Sequence, residues 1–300
     1  MEHVLNEESS EYEELLSYVE RFKNKTFVIK YGGSIMKNEA AAKAFIEDVV
    51  LLKKYDINII IVHGGGPEIS KWLGIAGVKS EFRNGLRVTD KNVMDIAEMV
   101  LSGHINKDIA ANLSRYGISA VGLSGRDSNL IKAKKRYLYE DGKKVDIGFV
   151  GEVVSINKTF LQSNIEKNRV SVISPIGCDT YGNKYNINAD YAASFISSEL
   201  KAEKLIILTD VAGVYKDIND EDSLIKEISS KQIKEYISDG IIQGGMIPKM
   251  ECCLDAIDNG TKNVHIIDGR KNHSLLFELV NGSGTKITSE EEIRECQKVI

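Results

Sequence analysis

Proline is scarce in this chain, with three in 300 residues, and no Ser/Gln-rich tract occurs, which argues against a long disordered linker. No apolar run approaches the roughly 20 residues that a membrane helix needs. Residues 1–10 are acidic and lack both the basic start and the apolar core of a secretory signal. The four cysteines, Cys178, Cys252, Cys253 and Cys296, make no CxxC pair and have no histidine partners nearby. Adjacent Cys252 and Cys253 would be an odd disulfide framework, so reduced thiols in the cytoplasm are expected. An excess of positive charge is also missing: the formal net charge is −5, which gives no general attraction to nucleic acid or to an acidic membrane. Several signatures are absent as well. Without GxxxxGK[ST], GxGxxG, HRD with DFG, HExxH or GxSxG, the usual P-loop, dinucleotide, protein-kinase, zinc-hydrolase and serine-hydrolase solutions are disfavoured. No clustered Cys/His set suggests a resident metal.

What is present is ordinary globular composition, 42% hydrophobic and 28% charged, in a length that suits one large or two modest domains. Short runs rich in β-branched residues recur at 26–29, 58–62, 170–173, 205–208 and 263–267. Helix-period stretches at 40–55, 91–115 and 188–200 lie between several of them. That order predicts a mostly parallel sheet with helices on both faces. Residues 130–154 alternate instead, around Asp141-Gly142, and predict a β-hairpin. Its basic run, 132–136, is taken as a solvated face. Ahead of the first strand, Ser10 and Glu13 form a capping-box pattern, and Tyr12, Leu15, Leu16, Val19 and Phe22 make one apolar stripe. The sheet does not require this helix, so its apolar face must find another surface.

The chemistry should gather at the carboxyl ends of the strands. Strand one runs into Lys30-Tyr31-Gly32-Gly33-Ser34, and the second into His63-Gly64-Gly65-Gly66-Pro67. Glycine-rich turns before a helix let backbone N–H groups converge on an anion. His63 is better placed to orient its turn than to act as a base. Arg87, within Asn84-Gly85-Leu86-Arg87-Val88-Thr89-Asp90, offers a fork for a carboxylate, unless it is an ordinary surface ion pair. Asn188 suits the N-cap of the helix that follows it, with Asp190 near its positive end. Asp210 to Tyr215 reads as a ligand-facing loop, and Gly244-Gly245 precedes a second lysine, Lys249. Two lysines, two turns rich in N–H groups and one aspartate are the parts that phosphoryl transfer requires.

The motifs KYGGS, HGGGP, NGLRVTD, YNINAD, LTDVAGVY and GGMIPK, in that order across most of the chain, resemble the amino acid kinase family, and within it the branch acting on N-acetyl-L-glutamate. Ser34 and Ser128 depart from the commoner Asn and Gly of that pattern. The resemblance implies an α/β fold, an open three-layer αβα sandwich with two lobes. Its parts would be an amino-terminal helix at 1–24, an acceptor lobe at 25–200 and a nucleotide lobe at 201–300. It implies ATP-dependent phosphorylation of the side-chain carboxylate of N-acetyl-L-glutamate, the second step of arginine biosynthesis, with Mg2+ carried on the nucleotide phosphates. Lys30 and Lys249 would steady the transferring group and Asp190 would orient both. Gly65, Gly66, Arg87 and Asn186 would bind the acceptor. Gly33 with Asp210, Val211, Ala212, Gly213, Val214, Tyr215, Ile241, Ile242 and Gln243 would bind phosphate and nucleotide. It further implies inhibition by L-arginine at His265, Glu278 and Gly284, a homohexamer built as a trimer of dimers through the amino-terminal helix, and contact with a PII-type signal protein. The alternatives are a sister kinase for a carrier-bound α-aminoadipate and a catalytically silent small-molecule sensor on the same fold.

Overall fold

The computed structural model describes residues 10–290. Cys296, and the side chains of Ser10, Tyr12 and Glu13, lie outside the described residues. Fourteen strands are found among them: β1 Thr26–Tyr31, β2 Asn58–His63, β3 Phe82–Arg83, β4 Leu86–Arg87, β5 Ala120–Ser124, β6 Ile131–Glu140, β7 Lys143–Ile156, β8 Val170–Ser174, β9 Ile176–Cys178, β10 Lys184–Asn186, β11 Lys204–Thr209, β12 Glu227–Ser229, β13 Asn263–Asp268 and β14 Thr285–Thr288. The α-helices are α1 Ser10–Glu20, α2 Glu39–Lys54, α3 Gly66–Ile75, α4 Lys91–Glu98, α5 Asn106–Arg115, α6 Lys158–Glu166, α7 Ala189–Leu200, α8 Ser230–Ser238, α9 Met246–Asp258 and α10 Ser274–Asn281.

Eight strands form the central sheet in the order β12-β14-β13-β11-β1-β2-β8-β5, parallel throughout except where β13 meets β14. The β-branched runs belong here because alternate residues of one strand feed opposite faces, and both faces are covered. Phe27 and Ile29 of β1 enter one apolar cluster with α1 to α5 and α10. Val28 enters the other, with α6 to α9. The three expected layers follow directly, helix, sheet and helix.

The segment predicted as one helix over 91–115 is three pieces. A π-helical stretch, Met99–Ile105, separates α4 from α5, and such widened turns are frequent at functional sites. The predicted hairpin is β6–β7, turned by Asp141 and Gly142 with φ of 49° and 73° as a type I′ turn needs. It closes with β9 and β10 into a small barrel beside the sheet. Asn84 and Gly85, also both at positive φ, turn the short hairpin β3–β4 that carries Arg87.

The stripe on α1 does not wait for a second copy. Leu15 and Val19 are buried in this chain's own core where α1 packs on α10, and Phe22 sets its ring edge-on to Phe27 at 5.3 Å. An apolar face placed before β1 finds cover on the nearest helix of the same layer. No described helix is long and apolar enough to cross a membrane.

Candidate active site

Parallel strands point one way, so the turns after β1, β2 and β11 collect on one side of the sheet. The turn after β1 touches the turn after β2. A Cβ on Gly33 would lie 2.8 Å from the backbone N of Gly65, and one on Gly65 would lie 2.5 Å from methyl groups of both Leu101 and Ile105. A side chain at Gly33 would force the two loops apart, and one at Gly65 would push against Leu101 and Ile105 of the π-helical stretch. Gly65 is the N-cap of α3, with Pro67 in its first turn. The first N–H groups of that helix have no intrahelical acceptor and are available to a ligand.

Lys30 comes from β1 and Lys249 from the first turn of α9, and both reach Asp190 on α7. Lys30 Nζ lies 3.0 Å from Oδ1 as an ion pair, off the angle of a good hydrogen bond. Lys249 donates a hydrogen bond of 2.8 Å to Oδ2. The three side chains are only 11 to 14% exposed. Burial alone would raise the Asp190 pKa, but the two ammonium charges outweigh it and hold the carboxyl below its ordinary range. The same pairing raises Lys249 against the opposing effect of its burial. Asp190 and Lys249 are therefore ionised at neutral pH. The helix cap is a separate residue: Asn188 Oδ1 accepts from the Asp190 N–H at 2.7 Å, so the Asp190 carboxylate is left to the lysines.

Beside this triad lies a cavity of about 240 Å³, whose charged lining residues are Lys30, Arg87 and Asp190. Gly33, the turn Gly64 to Gly66, Asn186 and Asn188 complete its polar wall. The Arg87 guanidinium is buried, stacks over Phe82 at 4.5 Å, and donates to Gly66 O at 2.9 Å, to Ser70 Oγ at 2.8 Å and to Ser80 Oγ. These bonds engage three of its five N–H groups, so a ligand carboxylate would share or compete for the fork with the serine hydroxyls. Asn186 Nδ2 donates to Thr89 Oγ1 at 3.3 Å. Ser70, Ser80, Thr89 and Asn188 thus belong to the site too. The three hydroxyl residues carry no glycine or lysine signal in the sequence.

The stretch expected to hold nucleotide follows β11. Val214 and Ile242 anchor Asp210–Tyr215 and Ile241–Gln243 in one apolar cluster, and Val214 donates its N–H to Thr285 Oγ1 at 2.9 Å. The residues expected to sense arginine are also brought together. His265 Nδ1 lies 2.8 Å from Glu278 Oε1, and the Gly284 N–H donates to Oε2 at 2.6 Å. Glu278 is buried, with its oxygens already engaged inside the chain.

A fixed carboxylate between two cations, next to turns that present N–H groups, defines a site for an anionic phosphoryl group. The chain belongs to the amino acid kinase family, whose pattern it matches over residues 25–268. Within that family it is an enzyme of the acetylglutamate kinase group. It is 56% identical to the acetylglutamate kinase of Clostridium acetobutylicum, over 96% of this chain and 97% of that one. It is 49% identical to the Aquifex aeolicus acetylglutamate kinase, over 95% and 99%. Among solved structures, N-acetylglutamate synthase from Neisseria gonorrhoeae, complexed with coenzyme A and N-acetyl-glutamate, superposes with a TM-score of 0.81 at 23% identity. That match covers 93% of this chain and 63% of the other, and it speaks for the fold alone.

Proposed function

We propose that the chain moves the γ-phosphoryl group of ATP, bound with Mg2+ on its phosphates, onto the side-chain carboxylate of N-acetyl-L-glutamate. The observation that carries this reading is the single buried carboxylate of Asp190 holding Lys30 and Lys249 beside a cavity that also contains Arg87. The acceptor carboxylate is already a nucleophile, so no base is required. One of its oxygens bonds to the γ-phosphorus as the bond from phosphorus to the β–γ bridging oxygen breaks, and ADP leaves. The obstacle is the meeting of two anions, and two fixed cations in a largely buried site ease it. In this reading Lys30 and Lys249 flank the transferring group, Gly33 and Gly65 donate N–H groups to it, and Arg87 with Asn186 holds the acceptor. The loops Asp210–Tyr215 and Ile241–Gln243 hold the nucleotide. Lobe closure then completes the site. The test is ATP-dependent acyl-phosphate formation trapped with hydroxylamine. N-acetylglutamate should be preferred over glutamate, aspartate and α-aminoadipate derivatives; equal or better use of one of those acceptors refutes the assignment.

A regulatory extension has its own support. The cluster of His265, Glu278 and Gly284 lies near the segment just after α1: Lys204 Nζ approaches His265 Nε2 at 3.0 Å and the Phe22 ring at 4.9 Å. An arginine guanidinium competing for Glu278 would disturb the seat of α1, which couples an effector to the segment before β1. A hexamer through α1 must use surface other than Leu15 and Val19. Removing residues 1–24 should abolish arginine inhibition and reduce the assembly seen by light scattering. A full-length chain indifferent to millimolar arginine refutes this extension alone.

A further inference from the structure

We infer that His63, itself held by Asn106, is a positioning residue that fixes the peptide joining Gly64 to Gly65, and so aims the Gly65 N–H at the phosphate. The inference rests on the reading above, in which that N–H serves the transferring group. His63 is the last residue of β2 and its ring is fully buried. Its Nδ1 lies 2.9 Å from the Gly64 carbonyl oxygen, which can only accept, so the ring proton belongs on Nδ1. Nε2 is then an acceptor, and Asn106 Nδ2 stands 3.2 Å from it. The Asn106 amide is pinned in that sense. Its Nδ2 also faces the carbonyl oxygens of Leu123 at 3.1 Å and Val172 at 2.8 Å, and Lys107 Nζ donates to Oδ1 at 3.3 Å. Turning the amide over would set an oxygen against three acceptors.

The consequence is geometric. A trans peptide is planar, so a held Gly64 C=O obliges the Gly65 N–H to point the opposite way. The ring that holds the carbonyl is buried, and Gly64 and Gly65 both line the cavity. Glycines flank the plane and carry no side chain to stop it rotating. The π-helical stretch has a part in this as well. It carries Leu101 and Ile105 against Gly65 and hands the chain to α5 at Asn106, so one widened turn braces the loop from two directions. Burial pushes the His63 pKa down to about 4, so the ring stays neutral in the tautomer described.

The experiment is steady-state kinetics of the full chain with MgATP and N-acetylglutamate for three variants. His63→Leu removes both ring nitrogens, His63→Asn keeps a donor at the δ position, and His63→Gln moves the donor one bond outward. Loss of aim at one N–H should lower kcat by about tenfold or more in His63→Leu, with both KM values within about twofold, because the lost contact matters most in the transition state. His63→Asn should recover most of that turnover and His63→Gln should not. Unchanged kcat in His63→Leu with only a lower urea midpoint overturns the inference in favour of packing, as does equal turnover of the Asn and Gln variants. Should His63→Leu fail to fold, the Asn and Gln comparison decides alone. A wild-type chain that phosphorylates no carboxylate overturns the kinase reading and this inference with it; an active wild type with insensitive variants overturns this inference only.

Discussion

Replacing Asp190 with Asn keeps the size of the side chain and removes the charge that Lys30 and Lys249 share. The helix cap survives, because Asn188 supplies it. What changes is the electrostatics. The lysines meet opposite oxygens of one carboxylate at 3.0 and 2.8 Å, so without the negative charge two ammonium groups are left close together, at a separation on the order of 5 Å for the Coulomb arithmetic. At an effective dielectric constant of about 20, that repulsion is about 3 kcal/mol, similar to the cost of breaking a buried ion pair. Urea denaturation at pH 7 should show a loss of that order for Asp190→Asn, and kcat should fall by about a hundredfold or more. Adding Lys249→Met to Asp190→Asn removes the repulsion and should restore much of the stability while leaving the enzyme inactive. The pH dependence has a definite sign. The folded-state pKa of Asp190 is depressed, so its stabilisation is complete above the ordinary carboxyl value and is lost as pH falls below it. The gap between wild type and Asp190→Asn should therefore narrow only in strong acid. A single variant with unchanged urea midpoint and near-normal turnover would refute the account.

Lys30→Ala and Lys249→Ala should each stay folded and lose about a hundredfold or more in kcat, as removal of a transition-state charge does; near-normal turnover of either removes it from the proposed chemistry. Arg87→Lys keeps the charge but loses the planar fork stacked on Phe82, so KM for the acceptor should rise sharply while KM for ATP moves little; equal rises would place Arg87 elsewhere. His63 has a folded pKa of about 4 against an ordinary 6.5, so the neutral ring's stabilisation is complete above pH 6.5 and declines as pH falls towards 4. Measured by urea midpoint across that window, His63→Asn should show a flatter decline than wild type, and equal slopes would show that the ring does not titrate there.

The strands buried on both faces were legible because unbroken β-branched runs such as Asn58-Ile59-Ile60-Ile61-Val62 have few other uses. β5 was not, since Ala120-Val121-Gly122-Leu123-Ser124 is half-exposed at the end of the sheet and carries no strong apolar alternation. β9, β10, β12 and β14 are three or four residues long, too short for a period to register. The π-helical stretch was hidden because its apolar spacing passes for helix, and only tertiary contact with Gly65 and the sheet gives the extra residue a purpose. At the site, the glycine turns, both lysines and Asp190 stood out by residue type. The hydroxyls of Ser70, Ser80 and Thr89 did not, because serine and threonine are common in every setting and gain meaning only from the neighbour they meet. Ser128 shows the same limit from the other direction. It and Asn129 take up left-handed backbone, φ 52° and 51°, where glycine is the easier choice.

The two oxygens of Asp190 are separated by covalent geometry, and each engages an ammonium group carried by a different part of the chain, β1 and α9. The carboxylate therefore works as a gauge. When the strands and helices around it shift, the four-carbon stems of Lys30 and Lys249 can bend to follow, while the shared carboxylate keeps their charged ends together. Tolerance of movement is placed in the soft stems and precision in the shared carboxylate, so β1 and α9 could shift against each other without parting the two cations.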